Sequence, residues 1–141
     1  MAQKLYYSCQ IQNRTMKKLI LFMIGLAFTV TVSAQQKQPS WKAPEKYKTM
    51  VQKEKGDLAV GKELYNKNCK SCHGAKGLGD GPKAASLKTF PGDFSSKSFK
   101  NYKYGELYYI SFVGSGEMPN YEKKILDEQD RASVIEYIKK F

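Results

Sequence analysis

Histidine and cysteine are scarce in this sequence, which has one histidine and three cysteines among 141 residues. A single histidine excludes sites that need several imidazoles, such as a zinc finger with paired cysteines and histidines or a catalytic zinc held by three histidines. Acidic residues are also few, with 13 Asp and Glu against 24 Lys and Arg. The length predicts one domain, and the charge balance favours partners with negative charge.

No apolar run reaches the length of a membrane span, because residues 19–32 number about 14 and a transmembrane helix needs ~20. The run follows two lysines and leads into Val-Ser-Ala, an order typical of a secretory signal peptide. We therefore predict that residues 1–34 are a signal peptide, with Met16 as a second candidate start, and that the protein is exported to the periplasm. An uncleaved segment, which would anchor the protein to the membrane, is the alternative.

Two cysteines stand three positions apart, in Cys69-Lys70-Ser71-Cys72-His73, whereas Cys9 falls in the predicted signal peptide. The C-x-x-C-H pattern is that of c-type haem attachment. Cysteines at i and i+3 lie on one side of a helical turn, so both sulfurs can form thioethers with one porphyrin. The adjacent histidine then ligates the iron from one face. The motif predicts one covalent haem c on Cys69 and Cys72, with His73 as an axial ligand of the iron.

The two cysteines have three competing interpretations: a disulfide, a thioredoxin-like redox pair, or half of a zinc site. A disulfide is the ordinary expectation for two cysteines in an exported protein. A redox pair of this kind is expected in a βαβ unit, and a zinc site needs two further ligands. The sequence offers neither a βαβ pattern nor two further zinc ligands. The histidine that follows the second cysteine favours haem attachment over a disulfide.

The sequence after residue 34 has two methionines and no second histidine to fill the other axial position of the iron. Met50 lies in a polar segment, whereas Met118 lies in Gly-Glu-Met-Pro-Asn, a sequence typical of a loop. A lone methionine is more often part of a core. Met/His is, however, a known axial pair of electron-transfer haems, so we predict Met118 as the second axial ligand.

Three helices and no β-strand are predicted in residues 57–141, and the fold class is therefore all-α. Asp57 is predicted to cap the first helix, which ends at the cysteine motif. The second spans residues 104–113, and Asp127 caps the last. The last helix has an apolar face that consists of Val134, Ile135, Tyr137, Ile138 and Phe141.

Residues 35–56 are polar and rich in Lys and Gln, with Pro39 and Pro44 and little periodicity. We predict that they form an extended leader over the domain surface, with Trp41 as a contact point. A charged segment with one aromatic is usually only a linker, which is the alternative.

Residues 57–141 resemble the single-haem class I cytochromes c, in particular the short bacterial forms. Beyond the attachment motif, the resemblance rests on Gly61, Tyr65, the Gly-Leu-Gly-Asp-Gly-Pro of residues 77–82, and Met118 with its following proline. It implies the cytochrome c fold, with three to four short helices wrapped around one haem.

The resemblance also implies roles for several residues. The first helix would cross the last where Gly61 and Tyr65 meet Tyr137. The carbonyl of Pro82 would accept a hydrogen bond from Nδ1 of His73, which would orient the ring. Residues 95–104 align to no specific role.

The expected function is electron transfer and not catalysis, because two filled axial positions leave no place for a substrate on the iron. We expect one-electron exchange with exported or membrane redox partners such as an oxidase, a reductase or a dehydrogenase. One alternative is a fixed haem subunit of a larger respiratory or dehydrogenase complex, with residues 35–55 as a docking strap. The other is a haem enzyme or gas sensor in which Met118 is not a ligand.

Charge supports acidic-faced partners. Loss of residues 1–34 would remove four of the 24 basic residues and no acidic one, which leaves 20 basic and 13 acidic residues and a formal charge of +7. Several lysines flank the predicted site in sequence: Lys67, Lys70, Lys76, Lys83 and Lys88. Weak, salt-sensitive docking is expected, although scattered lysines are often only a solvated surface. We expect no binding to nucleic acid, and no membrane insertion once the signal peptide is cleaved. The protein is predicted to be a monomer or a subunit of a complex.

Overall fold

The computed structural model describes residues 38–39 and 41–141. The predicted signal peptide, residues 1–34, lies outside the described residues, as do residues 35–37 and 40. The described part contains six α-helices: α1 Glu45–Lys48, α2 Leu58–Asn68, α3 Lys70–His73, α4 Lys97–Lys100, α5 Tyr104–Tyr108 and α6 Glu128–Ile138. A 3₁₀ turn spans Ala84–Ser86 and a π-helical turn spans Tyr109–Val113. These residues form no strand, which confirms the all-α fold class.

Two predicted helix starts are confirmed by their capping hydrogen bonds. The side chain of Asp57 accepts hydrogen bonds from the backbone N–H groups of Ala59, at 2.7 Å, and Val60, at 3.2 Å. The side chain of Asp127 accepts one from the backbone N–H of Asp130, at 3.0 Å. Each carboxylate satisfies N–H groups that the first turn of a helix leaves without partners. None of the helices in the described residues is long and apolar enough to cross a membrane.

The predicted helix over residues 104–113 is only half α-helical. It begins as α5 and continues as the π-helical turn, which ends at Gly114 with a φ of 78°. Phe112 in this turn is 1% exposed, and its carbonyl accepts a hydrogen bond from the backbone N–H of Tyr121 at 2.8 Å. The wider turn is set by this packing with a later loop, and a helical period in the sequence does not show it.

Helices α2 and α6 cross in close contact. A Cβ atom on Gly61 would overlap the carbonyl oxygen of Ser133 and lie 3.0 Å from Cβ of Tyr137. The ring centroids of Tyr65 and Tyr137 are 5.4 Å apart, and Tyr65 is fully buried. The structure therefore brings together the three residues that the resemblance assigns to the crossing, and only a glycine at position 61 permits this approach.

Residues 95–104, for which no role was predicted, contribute to the core. Ser96 caps helix α4, since its hydroxyl accepts a hydrogen bond from the backbone N–H of Phe99. Phe99 is 5% exposed, and its ring stacks on Phe94 with centroids 4.5 Å apart. The segment therefore supplies an aromatic side chain to the interior.

The prediction of an extended leader is wrong for residues 45–48, which form α1. The ring of Tyr47 in α1 packs against Tyr109, with centroids 4.9 Å apart, and Ala43 is 5% exposed. The leader also approaches α5 closely, because a Cβ atom on Gly105 would lie 2.7 Å from Cβ of Met50. Burial of these apolar groups stabilises the leader against the domain.

The crossing generates a prediction. Gly61→Ala should lower the free energy of unfolding by about 1–3 kcal/mol, because the added methyl group meets the backbone of α6. Helix propensity alone would change stability in the opposite direction, by about 1 kcal/mol. Denaturant unfolding of the haem-loaded protein, followed by circular dichroism, measures the difference.

The matched control is Lys62→Ala, an exposed position in the same helix, which should stay within about 0.5 kcal/mol of the wild type. A Gly61→Ala protein more stable than the wild type would contradict the close crossing.

Candidate haem site

The haem attachment motif forms a single helical turn at the end of α2. The backbone N–H of Cys69 donates to the carbonyl of Tyr65 at 2.8 Å, and that of His73 donates to the carbonyl of Cys69 at 3.0 Å. This turn brings Cys69, Cys72 and His73 to one cavity, which all three line. Both cysteines are free thiols and form no disulfide with each other.

A glycine-rich loop binds the outer side of this turn through its backbone. The N–H groups of Gly79 and Gly81 donate to the carbonyls of His73, at 2.9 Å, and Cys72, at 3.1 Å. A Cβ on Gly81 would lie 2.7 Å from the Cys72 carbonyl oxygen, so a side chain at this position would push the loop away. The buried hydroxyl of Tyr65 also donates to the carbonyl of Gly74, at 2.6 Å. These bonds hold the motif in one conformation.

His73 is buried, with 8% of its surface exposed. Its ring stacks on Phe94, with centroids 4.7 Å apart and an interplanar angle of 30°. Burial lowers the pKa of His73 to about 4, so the imidazole is neutral at pH 7, which is the form that ligates a metal.

Nδ1 of His73 is buried and has no hydrogen-bond partner in the structure. The bond to the Pro82 carbonyl, which the resemblance implies, is therefore not formed here, and it stays a prediction for the haem-loaded protein. An unpartnered buried nitrogen costs free energy, and a hydrogen bond to the Pro82 carbonyl would remove that cost while leaving Nε2 for the iron.

The thiol of Cys69 is not poised for redox chemistry. Burial, followed by the charge of Cys72, raises the pKa of Cys69 to about 12. Because the thiolate is the reactive form in thiol–disulfide exchange, a neutral thiol at Cys69 disfavours a thioredoxin-like pair. The structure thus weakens the redox-pair interpretation.

The cavity has a volume of about 500 Å³, within the ~300–1,000 Å³ typical of cofactor sites. Met118 and Pro119 line it together with the attachment motif. The rest of its lining is mainly apolar and includes these residues from several loops and helices: Leu87, Phe90, Pro91, Phe94, Phe99, Ile110, Phe112, Tyr121, Ile125, Val134 and Ile138. This lining suits a large apolar ring, and the thiols and imidazole suit its attachment and ligation.

The loop that carries Met118 is tied to a second loop by its neighbour Glu117. The carboxylate of Glu117 accepts hydrogen bonds from the backbone N–H groups of Lys88, at 3.1 Å, and Thr89, at 2.8 Å. These bonds lower the pKa of Glu117. The sequence analysis did not identify this residue, because no local pattern predicts which distant backbone groups a carboxylate meets.

Fold and site together define a small helical protein whose cavity suits a covalently attached haem. Residues 58–141, more than half of the chain, match the family model described as Cytochrome c, and the chain belongs to that family. A comparison with curated proteins gave no match. As a family member the protein binds haem c with iron and is a haem-binding electron-transfer protein.

The attachment geometry generates a prediction. Cys69→Ala and Cys72→Ala should each retain haem through the remaining thioether, whereas the double variant should carry none after denaturation. A thioether survives unfolding and axial ligation does not, so mass spectrometry of the denatured chain separates the two kinds of binding.

Lys70→Ala, an exposed position within the motif, is the control and should keep the mass of one haem. Covalent haem on the double variant would show that another side chain forms the attachment.

Proposed function

We propose that this protein is a periplasmic one-electron carrier whose haem iron is ligated by His73 and Met118. The observation that carries the proposal is that Met118 lines the same cavity as the attachment motif. Its loop is held by the Glu117 hydrogen bonds and by the backbone N–H of Met118, which donates to the Ser115 carbonyl at 3.1 Å. Export would depend on residues 1–34.

The other available methionine lies elsewhere. Met50 lines a separate cavity of about 280 Å³ between the leader and α5, together with Tyr104 and Tyr108. It does not line the cavity that contains His73. Met118 is therefore the methionine that the geometry favours as the second ligand.

The haem, its two protein ligands and the cavity walls would each contribute differently to electron transfer. A bound haem c supplies one-electron exchange at its iron. Two protein ligands keep substrates from the iron, and methionine ligation raises the reduction potential relative to two histidines. Apolar walls around a bound haem would keep water from it and raise the potential further.

Arg131 does not support the haem enzyme alternative. This residue is 8% exposed, and its guanidinium donates to the carbonyls of Ile125, at 2.6 Å, and Leu126, at 3.1 Å. It caps the loop before α6 and does not line the haem cavity. A guanidinium that assists peroxide cleavage in a haem enzyme would need to lie beside the iron.

Axial ligation is tested with carbon monoxide. The reduced wild type should keep an unchanged low-spin spectrum when carbon monoxide is added, because both axial positions are filled. Met118→Ala should bind the gas and shift its visible spectrum, since the substitution opens one position.

Met50→Ala removes the same side chain outside the haem cavity and should behave as the wild type. Ready binding of carbon monoxide by the wild type would contradict Met118 ligation and support the gas sensor or enzyme instead.

We also propose that the protein docks weakly to acidic-faced redox partners. The five lysines near the motif in sequence are all exposed, and Lys83 lines the edge of the haem cavity. Positive charge at this edge would attract an acidic protein and orient it for electron exchange. A fixed haem subunit of a complex would use the same surface, and co-purification with partner chains would distinguish it from a free carrier.

The electrostatic part is tested with small redox reagents. Electron exchange with an anion such as hexacyanoferrate should slow severalfold as ionic strength rises, and exchange with a cationic cobalt complex should accelerate. Lys83→Gln should weaken the salt dependence, whereas Lys53→Gln, outside the cavity lining, should weaken it less. Equal salt dependence for both reagents would refute electrostatic docking at this edge.

A further inference from the structure

Residues 41–56, here termed the strap, lie outside the part of the chain that matches the family, which begins at residue 58. They nevertheless contact the domain at several points: Ala43 is buried, and Trp41, Tyr47, Met50 and Gly56 are partly buried. At one end of the strap, Trp41 lines the haem cavity. The strap therefore adds to a site that the family match does not account for.

The Trp41 end is held against the segment that precedes Phe94. An ideal Cβ on Gly92 would lie 3.1 Å from Cη2 of Trp41. The amide of Gln38 forms two bonds with the backbone of Asp93: it accepts from the N–H at 3.1 Å and donates to the carbonyl at 3.3 Å. Phe94, two residues after Gly92, stacks on His73, and Trp41, Phe94 and His73 all line the same cavity.

The other end of the strap is held by α5 and α6. Tyr47 packs against Tyr109, and its carbonyl lies where a side chain on Gly105 would be. The carboxylate of Glu136 accepts hydrogen bonds from the backbone N–H of Gly56, at 3.0 Å, and from the amide of Gln52, at 2.6 Å. The strap is therefore held by its own domain at both ends.

We propose that the strap forms part of the haem cavity wall and that Trp41 shields one edge of the haem from water. The ferric haem carries one more positive charge than the ferrous haem, so water near it favours the ferric state. Exclusion of water by the indole would therefore raise the reduction potential. In this proposal Trp41 acts by covering the haem edge and does not ligate the iron.

The experiment compares Trp41→Ala, Trp41→Phe and wild type in the haem-loaded full chain, with the potential measured against redox mediators. Trp41→Ala should raise the ferric-to-ferrous ratio three- to tenfold at a fixed applied potential. For a one-electron couple, this is a fall in the reduction potential of the haem of up to about 59 mV. Trp41→Phe should lower the reduction potential by a smaller amount. Lys42→Ala, the exposed next residue, is the control and should not shift it.

An unchanged potential in Trp41→Ala would overturn the proposal, and if that variant takes up no haem, an unchanged Trp41→Phe would do the same. A shift together with a high-spin spectrum would also overturn it, because Trp41 would then act by disturbing the iron ligands. The proposal rests on the haem in this cavity and not on Met118, so the carbon monoxide experiment can fail while this one succeeds.

Discussion

The close crossing of α2 and α6 is the constraint on which the rest of the structure depends. Without a side chain on Gly61, α2 lies against the backbone of Ser133. The end of α2 then carries the attachment motif to a cavity that Val134 and Ile138 of α6 also line. A wider separation of the two helices would move the thiols and the imidazole relative to every other wall of that cavity.

The cavity also explains the composition of the domain. A domain of this size, with six short helices in the residues that the structure describes, has little apolar surface to bury, and a bound haem would supply apolar area that the side chains alone lack. Aromatic rings form much of the remaining interior, in a series of contacts that runs from His73 through Phe94 to Phe99. The cofactor and the core are therefore parts of one packing arrangement, and stability and redox properties are linked through it.

The strap extends this arrangement beyond the part of the chain that matches the family. A segment rich in lysine and glutamine has low apolar content, and its sequence suggests a linker. Three spaced side chains, Trp41, Tyr47 and Met50, nevertheless have partners at the cavity, in the π-helical turn and in α5, respectively. A few large side chains at the right spacing suffice to hold a polar segment against a domain, because each buries substantial area.

The sequence by itself determined the attachment motif, the all-α class and the starts of α2 and α6, because each depends on residues within a few positions of one another. Tertiary structure alone decided the π-helical turn after Tyr108, the contribution of Phe99, the bonds of Glu117 and the path of the leader. Each of these joins residues that are distant in the chain or depends on packing against such residues. Local propensity carries no information about those pairs, since only the assembled helices and loops bring them into contact.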